Sequence, residues 1–340
     1  RDASNDLALK PAEDFLFIAD AGELSAPDWS KDLGELVKSA STENPEETKA
    51  ITLGDIAFYI YTSGTTGLPK AAVISNRRYL IGADMAGMGG LQCKPKDRIY
   101  LCLPLYHATG LLLGVGSALS TGASMFVRRK FSASNFLPEV RHHQCTHMIY
   151  IGELCRYLVN SQAKADDAKT PLKNIMGNGL RPDIWMEFKQ RYGLSRICEF
   201  YGASEGNVAF ANLFNKDLTV GMTSAEVSVV QYDVDSDEIV RDNQGFCIPV
   251  AKGEPGLLLG KITPDTIFEG YTDETATESK VLRSALEPDD AWFNTGDLMR
   301  VVDVGYALGF DHYQFVDRVG DTFRWKAENV STNEVGEIIN

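Results

Sequence analysis

The residues with the clearest chemical potential lie between Tyr61 and Ser75, in the string YTSGTTGLPKAAVIS. Gly64 and Gly67 allow the backbone to fold so that several N–H groups point into one concavity. Further hydrogen-bond donors are the hydroxyl groups of Thr62, Ser63, Thr65 and Thr66 and the mobile ammonium of Lys70. This donor set is suited to cradling a triphosphate or a pyrophosphate.

The spacing of this string separates it from a Walker A loop. Its pattern is GxxGxxK, and Ala71 stands where a Walker A loop has the Ser or Thr that holds magnesium. The alternative is a hairpin rich in glycine and threonine with a solvated Lys70. Because the whole string TSGTTGLPK lies between two apolar runs, the phosphate loop is favoured.

A second group of chemically active side chains comprises His142, His143, Cys145 and His147. In a strand, alternation would place Cys145 and His147 on one face. No second group of ligands follows at the spacing of a zinc site, so structural roles are favoured over metal binding.

The elements that position these residues are indicated by apolar runs. Residues 55–215 alternate helical patterns with the runs IAFYIYT, AAVIS, IYLCL, SMFV, HMIYI, NIMG and ICEFY. Apolar strands that alternate with helices predict an α/β sheet with covered faces.

The regions on either side of residues 55–215 have different residue patterns. Residues 1–20 end in FLFIAD, which is typical of a buried strand, and residues 21–50 indicate a polar surface connection with one short helix, DLGELVKSA. From about residue 216 to 310, the runs EVSVVQYDV, GLLLGKI, LMRVVDVGY and YQFVDRV are separated by Gly, Pro and Asp turns. They predict a small, mostly β subdomain.

No residue from Ile99 to Val127 carries a formal charge, so this stretch is long enough to cross a membrane. Its interior argues against a span, because Pro104, His107 and Gly122 interrupt it. We expect a strand IYLCL, a loop PLYHAT, a helix GLLLGVGSALS and a strand ASMFV.

The composition is that of an ordinary globular protein, with 44% hydrophobic and 24% charged residues. The net charge of −14 makes a nucleic-acid partner unfavourable, because such a surface repels phosphates. Six dispersed cysteines without a CxxC pair indicate reduced, buried thiols and an intracellular location.

Several strings together resemble one known family. TSGTTGLPK resembles the signature of the adenylate-forming superfamily, which includes acyl-CoA synthetases, luciferases and peptide-synthetase adenylation domains. Further strings resemble one branch of this superfamily, the fatty acid transport protein / very-long-chain acyl-CoA synthetase family. They are KFSAS (130–134), YIGELCRYL (150–158), GNGLRP (177–182), EFYGASEGN (199–207), GEPGLLLGKI (253–262) and DRVGDTFRWKAENVST (317–332). The resemblance runs from about Asp55 to Val335.

The resemblance implies a fold and an organisation. The fold is α/β, the large N-terminal domain of adenylate-forming enzymes, with sheet-and-helix subdomains and a small β subdomain. The expected divisions are an AMP-binding region at 1–215, a β-rich subdomain at 216–317, and a hinge with the start of a C-terminal lid domain at 318–340. We expect the chain to be an internal fragment, incomplete at both ends.

The resemblance also implies a two-step reaction that uses ATP, Mg²⁺ and coenzyme A. A fatty acid is first adenylated and is then transferred to the coenzyme A thiol. The expected location is cytoplasmic, at the cytoplasmic face of a membrane that the full-length protein contacts through parts absent here. Three alternatives stay open: a ligase for a bile acid or carnitine-like acid, a fatty-acid transporter with a coupled or vestigial site, and a non-enzymatic binding module.

The implied site residues follow the motifs one by one. The resemblance places Glu205 on magnesium, Ser204 near the phosphate or the acyl carboxylate, and His107 at a gate beside that carboxylate. The nucleotide would lie against Gly177, Asn178, Gly179, Tyr201, Gly202, Ala203, Asp297 and Arg318, in addition to the phosphate loop with Lys70. Asp297 would accept both ribose hydroxyls, and Tyr201 would flank the adenine.

Each assignment has a structural alternative. Tyr201 could be a core tyrosine, Asp297 a turn residue, Arg318 part of a surface ion pair, and His107 a cap of the following helix. Two residues depart from the family pattern: Ser204 replaces a usual Thr, and Ala327 replaces a usual Gly near the hinge.

Overall fold

The computed structural model describes most of the chain, which forms two compact units, residues 1–52 and 53–340. The described residues are 10, 13–18, 25–62, 70–202, 207–264, 266, 268, 277–319, 322–325 and 328–331. Of Thr62, Lys70 and the last two ranges, only the backbone is described.

The first unit contains few regular elements. They are β1 (Leu16–Phe17), β2 (Lys31–Asp32), α1 (Leu33–Lys38) and a 3₁₀ turn (Glu46–Ala50). Asp32 caps α1, because its carboxylate accepts hydrogen bonds from the amides of Gly34 and Glu35 at 2.8 and 3.3 Å. The predicted helix DLGELVKSA is confirmed.

The buried strand predicted in FLFIAD is wrong for the part that is described. Only two of its residues pair, in parallel with β2. Leu16 and Ile18 are 58% and 67% exposed, so the described part of this strand is not buried.

The second unit begins with a hairpin and a helical layer around a sheet. In chain order its first elements are β3 (Ile56–Thr62), β4 (Lys70–Ser75), α2 (Asn76–Asp84), a π-helical segment (Met85–Leu91), β5 (Arg98–Leu101), a second π-helical segment (Thr109–Val115), α3 (Gly116–Thr121), β6 (Ser124–Val127), α4 (Ala133–His142), β7 (His147–Ile151), α5 (Gly152–Val159), β8 (Asn174–Asn178), α6 (Pro182–Arg191), β9 (Arg196–Gly202) and β10 (Ala209–Ala211).

A six-stranded sheet with the order β10-β9-β8-β7-β5-β6 forms the centre of this unit. All neighbours are parallel except β10, which runs antiparallel to β9. Successive residues of its strands, such as Met148, Ile149 and Tyr150, are 0% exposed. Both faces are therefore covered, as the continuous apolar runs predicted.

The hairpin β3–β4 is a correction to the sequence interpretation. Its runs IAFYIYT and AAVIS were expected in the covered α/β sheet, but among the described strands they pair with each other in a separate two-stranded sheet. Ile60 and Ile74 join the core, whereas Tyr59 and Tyr61 are 59% and 67% exposed. The two strands are antiparallel partners, and their exposed tyrosines show that one face of the hairpin is not packed.

The uncharged stretch Ile99–Val127 folds as predicted. It forms β5, a loop, the π-helical segment continued by α3, and β6. In the part of the chain that the structure describes, no helix has both the length and the apolar character that a membrane crossing requires.

The remaining elements are strands. They are β11 (Val227–Val230), β12 (Tyr232–Asp233), β13 (Glu238–Ile239), β14 (Gly256–Lys261), β15 (Val281–Arg283), β16 (Ala291–Val302), β17 (His312–Arg318), β18 (Thr322–Trp325) and β19 (Glu328–Ser331). Five of them form an antiparallel sheet with the order β11-β14-β16-β15, in which β17 also pairs with β16. The β-rich character predicted for this region is confirmed, while the boundaries near 216 and 318 stay predictions.

All six cysteines are free and buried. Burial raises the pKa of the Cys93 and Cys102 thiols to about 12 and that of Cys145 to about 11. These thiols are therefore protonated and unreactive at neutral pH, as expected for buried structural cysteines.

Candidate active site

The carboxyl ends of the parallel strands bring several of the predicted site residues to one edge of the sheet. His107 follows β5, Gly179 follows β8, and Gly202 ends β9. Loops at this edge of an open α/β sheet are the usual place for a ligand. The topology thus brings together residues that are far apart in the sequence.

The connection after β8 follows the edge closely. Gly177 lies opposite Tyr150 of β7 and Glu199 of β9. A side chain at Gly177 would meet the Tyr150 carbonyl, and Gly179 has a φ of +80°, which an L side chain rarely adopts. The two glycines are therefore required by the fold as well as by the role that the motif suggests.

Glu199 is a buried acid at this edge of the sheet that was not among the residues singled out from the sequence. It is 3% exposed, and its carboxylate accepts hydrogen bonds from the Tyr150 hydroxyl and, at 2.9 Å, from the Leu180 amide. Burial raises the pKa of Glu199 to about 8, although hydrogen bonds from Tyr150, Leu180 and Gly179 oppose the shift. The signal in the sequence was a lone acid within the apolar run ICEFY.

Tyr201 and Asp297 connect the sheet to the β-rich region. The Tyr201 hydroxyl donates to Asp297 Oδ2 at 2.6 Å, and Arg318 Nε donates to Asp297 Oδ1 at 3.1 Å. Asp297 is 4% exposed, whereas the Arg318 side chain is 69% exposed. Tyr201 belongs to β9, Asp297 to β16 and Arg318 to β17. Strands β16 and β17 are paired, and Asp297 lies opposite Arg318 in their register.

The backbone before Asp297 is shaped by a turn within β16. Gly296 has a φ of +74°, and its amide donates to Asn294 Oδ1 at 2.9 Å. The Asp297 amide donates to Thr295 Oγ1 at 3.1 Å, and the Thr295 hydroxyl donates to the Leu258 carbonyl. Asp297 thus lies in a turn, as the structural alternative supposed, and its carboxylate also contacts Tyr201 and Arg318, while its ribose role stays a prediction.

A cavity of about 820 Å³ lies beside Asp297. Its wall includes Thr295, Gly296, Arg318 and Lys280, and residues of the β12–β13 hairpin also line it. The volume is in the range of sites that hold small molecules. It is lined by charges of both signs, which suits a polar ligand with anionic groups.

The ring of Tyr201 packs within the protein. Its centroid lies 5.8 Å from that of Phe210 and 6.5 Å from that of Phe315. The hydrogen bond to Asp297 and the burial together raise the pKa of Tyr201 well above its ordinary value, with burial the larger cause. Tyr201 is thus a partly buried tyrosine that also orients a candidate ligand-binding carboxylate.

His107 lies in the exposed loop after β5. Its ring is 4.6 Å from that of Tyr106, and the helical segment that follows has no side-chain cap. The capping alternative is therefore not supported, and a gate role stays a prediction.

Some predicted residues fall outside what the structure describes. The hairpin pairs Thr62 with Lys70, which brackets Ser63, Gly64, Thr65, Thr66 and Gly67, but these five lie outside the described residues. Ala203, Ser204 and Glu205 also lie outside them. Their assigned roles stay predictions.

The group around His147 has structural partners. His147 forms hydrogen bonds with Thr146 Oγ1 at 2.8 Å and with the Leu91 carbonyl at 3.1 Å, and His143 stacks on Phe126. Among the described residues, no group of three His, Cys, Asp or Glu side chains is placed to hold a metal ion.

Comparisons with known sequences identify relatives. Residues 5–271 match the family of AMP-binding enzymes. The medium/long-chain-fatty-acid–CoA ligase FadD6 of Mycobacterium tuberculosis is 46% identical over 305 residues, which are 90% of this chain and 50% of that protein. Long-chain fatty acid transport protein 2 of Rattus norvegicus is 44% identical over 303 residues, which are 87% of this chain and 48% of that protein. The chain spans about half the length of these curated relatives.

Solved structures share the fold. O-succinylbenzoate coenzyme A synthetase (MenE) from Bacillus subtilis, in complex with AMP, matches with a TM-score of 0.64 and 22% identity, covering 95% of this chain and 62% of that one. ATP-bound MatB from Rhodopseudomonas palustris matches with a TM-score of 0.62 and 22% identity, covering 84% of this chain and 52% of that one. These structures confirm the predicted α/β fold class, and the sequence relatives confirm the predicted branch. Because the family match covers most of its residues, the chain belongs to the AMP-binding enzymes.

Proposed function

We propose that the full-length protein is an ATP-dependent ligase that joins a long- or very-long-chain fatty acid to coenzyme A. The observation that carries this proposal is the buried Asp297 carboxylate, held between Tyr201 and Arg318 beside a cavity. It stands at the motif position that the family resemblance assigns to the ribose. The identity of 46% to a fatty-acid–CoA ligase supports the substrate class.

The proposed reaction has two steps. A carboxylate oxygen of the fatty acid attacks the α-phosphorus of ATP, the bond to the β-phosphate oxygen breaks, and pyrophosphate leaves. The sulfur of coenzyme A then attacks the acyl carbonyl, AMP leaves with the former carboxylate oxygen, and the thiol proton goes to solvent. Alignment and charge stabilisation are the contributions expected of the protein.

Asp297 fits the role of ribose acceptor. Each of its oxygens accepts one hydrogen bond, from Tyr201 or from Arg318, and each carboxylate oxygen has a second lone pair. Both oxygens therefore keep capacity for a ribose hydroxyl. Arg318 is exposed enough to reach a ligand while it stays paired with Asp297.

The remaining roles rest on the motifs. Lys70 and the loop from Thr62 to Gly67 would bind phosphates, and the backbone from Gly177 to Gly179 would approach the adenine. Glu205 would hold Mg²⁺, which would neutralise charge on the phosphates when bound. One carboxylate fits such an ion, because phosphate oxygens and water supply its other ligands.

The length of the acyl chain tests the substrate class. If the acyl site is apolar, each buried CH₂ contributes up to about 0.8 kcal/mol, so a sixteen-carbon acid should be a far better substrate than acetate. Thioester formation by the full-length protein would be measured with both acids, and with a bile acid and carnitine as competitors. Equal efficiency with acetate and the sixteen-carbon acid would refute the fatty-acid assignment.

Transport is a second candidate, because relatives at 40–44% identity are named fatty acid transport proteins. Uptake of labelled fatty acid by cells would be compared between the wild type and Asp297→Asn. Uptake that falls together with thioester formation indicates trapping by ligation. Uptake that persists without ligation indicates transport by a separate means.

A further inference from the structure

A buried acid sits beneath the loop that follows β8. Glu199 Oε2 accepts a hydrogen bond from the Tyr150 hydroxyl, and Glu199 Oε1 accepts one from the Leu180 amide at 2.9 Å. The Gly179 amide also acts on this carboxylate as a donor. In the described part of the chain, backbone amides and a phenol stabilise the carboxylate, and no cation pairs with it.

These contacts join three neighbouring strands at the carboxyl edge of the sheet. Tyr150 comes from β7, the loop from β8, and Glu199 from β9. On its other side the loop is limited by Gly152, since a Cβ at that position would collide with the Gly179 carbonyl. The loop backbone is therefore fixed from two directions.

A buried carboxylate is costly unless its hydrogen-bonding capacity is used. A core position that only required volume would be filled by an apolar or neutral residue at lower cost. Here each oxygen of the acid accepts a hydrogen bond, one from the Leu180 amide of the loop after β8 and one from the Tyr150 hydroxyl of β7.

We propose that Glu199 is a positioning residue for the nucleotide, acting with Tyr150 through the amides of Gly179 and Leu180. This set of groups is called the Glu199 clamp below. The clamp fixes the loop backbone at the place where the adenine would lie. The inference rests on the proposed function for the identity of the ligand.

The chemistry of the clamp distinguishes its variants. Glu199→Gln keeps a carbonyl oxygen for the loop amides and an NH₂ group that can donate to the Tyr150 oxygen. Glu199→Ala removes both acceptors. Tyr150→Phe removes only the hydroxyl. Tyr100→Phe is its matched control, because Tyr100 lies in β5 of the same sheet and its hydroxyl donates to Glu139 of α4 at 2.9 Å.

The first test is amide hydrogen exchange in the full-length protein, which does not depend on activity. We expect Glu199→Ala to speed exchange at Gly179 and Leu180 by about tenfold or more, since the buried acceptor of the loop amides is lost. Glu199→Gln should retain most of the protection, and Tyr100→Phe all of it. If Glu199→Ala does not fold, Tyr150→Phe carries the test with a smaller increase. Unchanged protection in the folded variants would overturn the clamp.

The second test separates binding from chemistry. A displaced loop weakens binding of the ground state and of the transition state alike, so Glu199→Ala should raise the KM for ATP by about tenfold with little change in kcat. Glu199→Gln should recover most of this loss. An active wild type and an unchanged KM in Glu199→Ala would overturn the positioning role and leave the proposed ligase intact. An inactive wild type would overturn the proposed function, while hydrogen exchange would still decide the clamp.

Discussion

The Tyr201 hydroxyl donates a hydrogen bond to Asp297 Oδ2 at 2.6 Å, which links the end of β9 to the middle of β16. The two residues are separated by 96 positions in the sequence. One belongs to the six-stranded sheet and the other to the antiparallel sheet. The candidate ribose acceptor is therefore oriented by a residue from a different sheet.

Removing this donor should affect both stability and nucleotide binding. In Tyr201→Phe the buried Asp297 oxygen loses its partner, which should cost about 1–2 kcal/mol of unfolding free energy and raise the KM for ATP several-fold. Urea denaturation and steady-state kinetics of the full-length protein measure the two effects. Tyr306→Phe is the control, since Tyr306 is 82% exposed. If both variants behave alike, Tyr201 does not orient Asp297.

Asp297 itself should be needed for ATP. Asp297→Asn removes the negative charge and one acceptor, so we expect ATP affinity to fall by about 10–100-fold while the protein stays folded. Calorimetric titration with ATP measures this loss. The control is Asp303→Asn, which changes an exposed turn aspartate that accepts the Gly305 amide. Normal ATP affinity in Asp297→Asn would exclude the ribose role.

Lys70 should act on phosphate. Lys70→Ala is expected to slow ATP–pyrophosphate exchange without unfolding the protein, because a charge-assisted hydrogen bond contributes roughly 1.5–3 kcal/mol. The exposed Lys96 provides the matched control Lys96→Ala. An unchanged exchange rate in Lys70→Ala would mean that the loop from Thr62 to Lys70 is only a hairpin connection.

Glu199 should make stability depend on pH. Its pKa is raised from 4.5 to about 8 in the folded protein, so the folded state holds its proton more tightly than the unfolded state does. The resulting stabilisation is complete below about pH 4.5 and is lost as the pH rises through about 8. Relative to Glu199→Gln, the wild type should lose on the order of 2–4 kcal/mol of unfolding free energy across this range.

Denaturation with urea at about pH 5, 6.5 and 8 measures this difference for the wild type and Glu199→Gln. The control Glu187→Gln removes an exposed carboxylate and so corrects for the change in net charge. Parallel pH profiles of the wild type and Glu199→Gln would show that Glu199 is ionised in the folded protein throughout.

Two glycines should respond in opposite ways to alanine. In Gly152→Ala the new Cβ would overlap the Gly179 carbonyl, so the loop after β8 must shift and the protein should be destabilised by about 2 kcal/mol or more. In Gly82→Ala the nearest atoms belong to Leu112 at 3.9 Å, and a gain of about 0.5–1 kcal/mol is expected from helix propensity. Thermal unfolding of both variants measures these changes in stability. An unchanged stability of Gly152→Ala would contradict the close approach of Gly152 to the Gly179 carbonyl.

Local patterns predicted much of the secondary structure. The runs HMIYI, SMFV and IAFYIYT coincide with β7, β6 and β3, because short apolar runs rich in β-branched and aromatic residues favour strands. The pairing of the strands was harder to predict than their positions. The hairpin β3–β4 was expected in the main sheet, because the residues of a strand do not indicate which other strand it will pair with.

The candidate site shows the same division. The motifs predicted Asp297, Arg318 and Tyr201 one by one, and the structure adds that Asp297 accepts a hydrogen bond from each of the other two. Glu199 was not predicted as a site residue, because a single acid in an apolar strand gives no indication of the amides that it will meet.

By itself, the sequence determined the alternation of strands and helices, the phosphate-loop motif and the family. Each of these is encoded by neighbours along the chain or by a recurring string. Only the tertiary structure decided that Tyr201 reaches Asp297 and that Glu199 holds the loop after β8, since both contacts depend on which strands become neighbours. That choice is made by the packing of the whole core, in which residues distant along the chain lose their contact with water together.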